Sequence, residues 1–259
     1  MYPDKCPSCT NFTGGVFLKR DYEKIQKHYD GVAEIYDSRY GGDVGNRYHG
    51  HIRDHVMNCL PKGGALLDLG CGTGLFMQHY LNAGGGTAVG LDLSPEMVKA
   101  ARHQNHLDDV VAGTADRLPF RDASFDAVSS ILAFSYVPDP EAMLSEAYRV
   151  LRPGGRIAIC TLGHNVFTSI LPAIYRLGEK AHWSRIGVGS FGEHYYSDQQ
   201  MRELLSAAGF TDLKVHRCSF AHVNMKKPIF DAVRKAEPFV EKKLSYLAFN
   251  VCASGKKER

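Results

Sequence analysis

Leu67-Asp68-Leu69-Gly70-Cys71-Gly72-Thr73-Gly74 constrains this chain more than any other stretch. The apolar run over 65–70 predicts a buried strand. Glycines then take every second position, and a helical pattern follows from about Gly74 to Asn82. Glycine tolerates positive φ and carries no Cβ, so amides at such a turn stay open to a ligand. The helix that follows adds the positive end of its dipole. In open α/β sheets this edge is where ligands bind. A tight turn with no ligand is the competing account. The alternation of three glycines behind an Asp-bearing strand weighs against it.

Strands and helices alternate on either side of this loop. Strands are predicted at 65–70, 87–92, 110–115, 126–132 and 156–162, and two more within 212–223 and 244–253. Ser94 as N-cap with Pro95 at the first helical position opens one helix. Asp-Pro at 139–140 opens another, which "RPGG" ends. Ser197 and Gly209 bound a third as N-cap and C-cap, and 228–243 is helical. Residues 21–60 carry a helical pattern, with "RYGGDVGNRYHG" as a glycine-rich break. Residues 163–197 are too long and too aromatic for a plain connection. The fold class is therefore α/β: a Rossmann-like, seven-stranded, mostly parallel sheet with helices on both faces and an antiparallel last strand. N-terminal helices and a helical cap insertion complete it.

Length and composition narrow the function. At 259 residues the chain allows one sizeable domain with additions, or two small ones. A formal charge of +3 gives no electrostatic case for nucleic acid. No apolar run approaches the roughly 20 residues of a membrane span. "MYPDKCPSCTNFTGG" has no apolar signal core, which gives a cytoplasmic expectation. Seven scattered cysteines fit reduced thiols rather than a disulfide framework.

The loop spacing is G-x-G-x-G, which does not fit the dinucleotide pattern G-x-G-x-x-G. Asp92, about 20 residues on, has the place of a ribose-binding carboxylate in either kind of nucleotide site. Asp68 is distinctive, because a carboxylate inside a buried strand needs a partner. "LLDLGCGTG", "VGLDLSPEMVKAAR", "GTADRLPF", "FDAVSSILAFSYVPDPEAMLSEAYRVLRPGGRI" and "LLSAAGF" together resemble, in order and spacing, class I S-adenosylmethionine (SAM)-dependent methyltransferases. The overall layout is most similar to the ubiquinone/menaquinone-biosynthesis C-methyltransferase group (methyltransferase type 11 domain).

The resemblance implies SAM as cofactor and S-adenosylhomocysteine as product. It implies that Gly70, Cys71, Gly72 and Gly74 lie beneath the methionyl part, with Asp68 orienting that loop near the ammonium. Asp92 takes the ribose hydroxyls, and Leu93 and Met97 pack on the adenine. Relatives often hold the adenine amino group with an Asp. Here Thr114 stands at that place, followed by Ala115 and Asp116, so Thr114, Asp116 or backbone is left for the role. Ser130 and Ile131 would line the sulfonium. Tyr29 and Tyr36 match an N-terminal "YDxxAxxYD" pattern, with Tyr36 closing over SAM; amphipathic packing is the competing account. The implied division is 1–60, a helical extension over the cofactor site, and 61–259, the methyltransferase domain, with 163–197 as substrate cap.

The acceptor side is less legible. Relatives often carry a His-His pair before "VPDP"; here it is Ser135-Tyr136. Tyr136, His194 and Tyr195 are the catalytic candidates, the last two because they flank the return into the sheet. Phe167, Ile170, Tyr175 and Trp183 are candidates to wall an apolar acceptor, and His164, His182 and Tyr196 are further polar candidates. Packing of the cap on itself is the alternative. Methyl transfer needs a base only if the acceptor must lose a proton. Cys6-Pro7-Ser8-Cys9 is half of a zinc knuckle without a second pair nearby, so no metal is expected. Cys160 and Cys218 are candidates for a soft acceptor, against the plain reading of buried apolar thiols. Three functions follow: a small-molecule methyltransferase acting as monomer or homodimer, an RNA methyltransferase with an N-terminal zinc site, or a non-catalytic SAM-binding protein.

Overall fold

Seven strands form one sheet in the order β3-β2-β1-β4-β5-β7-β6. In this computed structural model, which describes residues 19–165 and 193–258, they are β1 Ala65–Leu69, β2 Thr87–Asp92, β3 Val110–Ala112, β4 Phe125–Ile131, β5 Leu151–Leu162, β6 Thr211–Cys218 and β7 Asn250–Lys256. The helices are α1 Lys19–Val32, α2 Ser38–Gly41, α3 Asp43–Met57, α4 Leu75–Asn82, α5 Pro95–Asn105, α6 Pro140–Val150, α7 Asp198–Ala207 and α8 Lys227–Lys243. Central strands β1, β4 and β7 are buried nearly throughout, because helices cover both faces. Edge strand β6 alternates in exposure, and edge strand β3 is three residues long. β7 runs antiparallel between β5 and β6; the other pairings are parallel.

Two apolar layers sandwich the sheet. On one face Ile52 and Val56 of α3, Phe76 and Met77 of α4, Val98 of α5 and Phe230 of α8 share a cluster. On the other, Met143, Leu144 and Ala147 of α6 pack with Met201 and Leu205 of α7. The helix starts follow their sequence signals. The side chains of Ser94, Asp139 and Ser197 accept from the amides of Met97, Ala142 and Gln200, and Ser197 with Gln200 forms a full capping box.

The glycine-rich stretch 39–50 departs from expectation. The chain breaks only at Gly42, and α3 runs through Gly45 and Gly50. A Cβ on Gly45 would lie 2.2 Å from the Arg39 carbonyl oxygen, so this glycine serves a close approach of α2, not a loop. The third strand stops at Ala112 and the sixth at Cys218. The seventh starts only at Asn250, behind a 3-10 turn at Ser245–Leu247 that leaves Tyr246 exposed. β5 begins at Leu151, so "RPGG" lies inside the strand, where Gly154 takes a left-handed φ. Gly209 also has positive φ, one residue past the Ala208 C-cap. Of the 163–197 insertion, residues 166–192 lie outside the described residues, as do Cys6 and Cys9.

Candidate functional site

Strand order reverses between β1 and β4, so the connections after them leave toward opposite faces and open a crevice at their C-terminal ends. β1 delivers the glycine loop there, and β4 delivers Ile131, Leu132 and Ala133. A cavity of about 720 Å³, counting its mouth, lies between them. Gly70, Gly72, Asp92, Leu93, Met97, Thr114, Ala115 and Ile131 line it. Tyr22, Ile25, Tyr29 and Tyr36 close it from the N-terminal helices, and Tyr136 from the far side. Tyr29 meets Tyr36 and Tyr136 edge to face, with centroids 6.4 Å and 6.0 Å away.

Asp92 organises the floor. Its Oδ2 accepts from the Gly72 amide at 2.7 Å and its Oδ1 from the Ser94 amide at 2.9 Å. Burial raises its carboxyl above the ordinary range, and the two amides partly offset that. A carboxylate has about four acceptor sites, so these amides do not exhaust its capacity to accept. Gly70 and Cys71 donate their amides to the Leu91 carbonyl at 2.8 and 3.1 Å. The loop is thus bolted to the end of β2.

Asp68 finds its partner within the sheet. In register with Ser129 on β4, it accepts the Ser129 hydroxyl at 2.7 Å. Burial pushes its carboxyl up to about 7, with Asp92 adding to the shift and Ser129 opposing it. The folded, ligand-free protein therefore holds a proton that the unfolded chain releases near pH 4, and it loses stability as pH rises through that window to about 7. Asp68→Asn is expected to melt above the wild type at about pH 8, with the gap closing by about pH 4.5. A gap independent of pH would contradict the neutral Asp68.

Other candidates are distributed around the cavity. Cys71 is buried, and Gly74, at φ +86°, sits under Leu107 at the start of α4. Ser130 has a buried hydroxyl with no hydrogen-bond partner, and it lies beside, not in, the cavity lining. Asp116 approaches the Tyr22 hydroxyl and, after burial, is the next cause that raises it. The His194 amide donates to the Ser135 carbonyl at 2.9 Å, and burial lowers its imidazole, keeping it neutral. Tyr195 is half-buried beside it. Neither His194 nor Tyr195 is among the described lining residues. Phe167, Ile170, Tyr175, His182 and Trp183 lie outside the described residues. The Cys160 and Cys218 sulfurs come within 3.8 Å of each other in the core, outside this cavity.

The aspartates of the two Tyr-Asp pairs were not singled out from sequence. Asp30 accepts the Ser94 hydroxyl at 2.5 Å, and Asp37 accepts the Thr73 hydroxyl at 2.5 Å. Asn105 completes the second contact, donating to Asp37 at 3.0 Å and to the Thr73 carbonyl at 2.9 Å. The tyrosine-bearing segment is therefore tied to the glycine loop and to α5 by charged hydrogen bonds. The Tyr-Asp repeat at a seven-residue spacing was the signal for it.

The chain's residues fit a nucleoside bearing a zwitterionic tail. Left-handed Gly70 and Gly72 leave the loop bare, Asp92 has spare acceptor sites, and Leu93 and Met97 offer an apolar flank. Residues 67–159 match a family described as a methyltransferase domain. The chain is 30% identical over 234 residues to a demethylmenaquinone methyltransferase of Lactiplantibacillus plantarum, covering 80% of this chain and 98% of that one. It is 34% identical over 167 residues to a malonyl-[acyl-carrier protein] O-methyltransferase of Yersinia pestis, covering 64% of this chain and 60% of that one, less than two-thirds of that relative's length. The fold matches a solved SAM-dependent methyltransferase of Thermotoga maritima, described as a possible histamine N-methyltransferase, with TM-score 0.62 at 23% identity over 93% of this chain and all of that one. Among the described residues no helix is long and apolar enough to cross a membrane. Glycine loop, the Asp92 carboxylate, switch-point cavity and similarity over 98% of a methyltransferase relative's length agree, and the chain belongs to the SAM-dependent methyltransferases.

Proposed function

We propose that this enzyme methylates a small, apolar or aromatic acceptor that enters against Tyr29 and Tyr136. The observation that carries this is the cavity's chemistry: of its described lining residues, Asp92 alone is charged, and the acceptor side is walled by Ile131, Leu132, Ala133, Val137 and tyrosines. Among these described lining residues an anionic or phosphorylated acceptor finds no cation. When bound, SAM supplies an electrophilic methyl on a sulfonium. Asp92 takes the ribose hydroxyls, the loop at Gly70–Gly72 holds the methionyl end near Asp68, and Leu93 and Met97 flank the adenine. Thr114 and Ala115 border the base, with Asp116 beyond them. Tyr36 closes over the site and excludes water.

Tyr136 positions the acceptor. Burial pushes its hydroxyl up to about 12, so it donates a hydrogen bond and does not act as a base near neutral pH. Its ring packs edge to face on Tyr29, with centroids 6.0 Å apart, which fixes its direction. Tyr136→Phe is expected to lower kcat about tenfold, the worth of one hydrogen bond, with the Kd for SAM unchanged. Equal loss of SAM binding would place Tyr136 with the cofactor instead.

The test is incubation of the protein with methyl-labelled SAM and a cell extract, followed by partition into lipid-soluble, aqueous small-molecule, RNA and protein fractions. Label in the lipid-soluble fraction is expected. Label in RNA would overturn the reading.

A further inference from the structure

Away from the cofactor cavity, α3 and α8 face each other across a cluster of histidines and carboxylates. His51 and His55 stand one turn apart on α3, so both rings leave the same face. Glu241 of α8 meets both, with Oε1 2.7 Å from His51 Nε2 and Oε2 3.6 Å from His55 Nε2. The two Nε2 atoms are 3.3 Å apart. Behind them, His55 Nδ1 lies 3.0 Å from Nε2 of His216 on β6.

We propose that His51, His55 and Glu241 form a binding site for a divalent transition-metal ion, zinc by the chemistry of the donors. Among the described residues this is the one group of three or more such side chains whose ligand atoms gather within 4.8 Å. Two imidazoles and a carboxylate are a zinc set, and tetrahedral ligands at zinc bond lengths stand about 3.3 Å apart. The Nε2 pair already has that separation, and the Glu241 oxygens at 2.7 and 3.6 Å bracket it. With His55 Nδ1 donating its proton to His216, the Nε2 lone pair is left for the ion; metal-bound histidines are commonly oriented in this way.

Charge and access agree. Glu237 is hydrogen-bonded to Arg234, whereas Glu241 accepts from the Ser219 amide at 2.9 Å and otherwise faces the histidines. One uncompensated carboxylate thus remains for a cation. Glu237 Oε1 is 3.7 Å from His51 Nε2, a further acidic neighbour. The side chains of His51, His55 and Glu241 are 16%, 22% and 16% exposed, so an ion can enter and water can take a fourth position. Once bound, the ion would staple α8 to α3 and, through Ser219, to the end of β6.

The experiment uses the untagged full chain carrying Cys6→Ser and Cys9→Ser, so that the thiol pair is no rival site. Zinc is titrated calorimetrically and cobalt(II) spectroscopically. One equivalent is expected to bind, with Kd on the order of micromolar or tighter. The expected cobalt spectrum is that of a four- or five-coordinate site without a sulfur charge-transfer band. His51→Gln and His55→Gln should each weaken zinc at least about tenfold, and His216→Phe about tenfold, with SAM binding retained as the sign of a folded chain. Absence of saturable binding, a sulfur charge-transfer band, or unchanged affinity in His51→Gln and His55→Gln would overturn the site. Should those variants not fold, the cobalt spectrum of the parent protein still decides.

Discussion

Asp92→Ala is expected to raise the Kd for SAM by more than about 100-fold, the equivalent of about 3 kcal/mol for two charge-assisted hydrogen bonds. The loss has two sources. In the proposed binding mode the ribose hydroxyls lose their acceptors, and the Gly72 and Ser94 amides, bonded to Asp92 at 2.7 and 2.9 Å, lose theirs. Asp92→Asn separates them: its one carbonyl oxygen can serve an amide but not both amides and the ligand, so affinity should fall while the fold is better preserved. Isothermal titration with SAM, alongside thermal melts, reads both. Affinity unchanged in Asp92→Ala would refute the ribose assignment.

The glycine loop supplies the second large effect, in which two glycines should fail in opposite ways. At Gly70, φ is +73° and a Cβ would sit 2.2 Å from the Ala133 Cβ. Left-handed strain and overpacking together cost about 2–4 kcal/mol, so Gly70→Ala should melt roughly 5–15 °C lower. At Gly72, φ is +53° and the nearest atom to a Cβ is Tyr36 Cε1 at 3.6 Å. Gly72→Ala should therefore cost only about 1 kcal/mol of stability. Its methyl would, however, occupy the space between loop and Tyr36, and SAM affinity should fall more than tenfold. Melts and titrations of the two variants check this ordering. A Gly72→Ala protein that binds SAM normally would mean that the ligand does not lie under Tyr36.

The sheet and its helices were legible because period and punctuation coincide. β1, β4 and β5 read as apolar runs because helices bury both of their faces, and Ser94, Asp139 and Ser197 announce helix starts by capping chemistry. Local glycine content misled at 39–50, since Gly45 answers to a contact with Arg39 that no local pattern records. The cavity lining was legible where chemistry forces residue type, at Gly70, Gly72 and Asp92. Asp68 was visible as a buried carboxylate, but its partner Ser129 is set by the register of β1 on β4, and register is a property of the assembled sheet. The pair His51 and His55 was not singled out from sequence, although its i, i+4 spacing is visible there; Glu241 and His216 join it only through tertiary packing. The proposed acceptor pocket depends on tyrosines from separate segments, and composition alone does not say that they meet.

The measurement that tests the central claim most directly is a crystal structure of the protein with S-adenosylhomocysteine. Ribose hydroxyls are expected on the two Asp92 oxygens, the thioether facing Tyr136, and the amino-acid tail against Gly70–Gly72 beside Asp68. A ligand bound elsewhere, or a ribose turned away from Asp92, would contradict it.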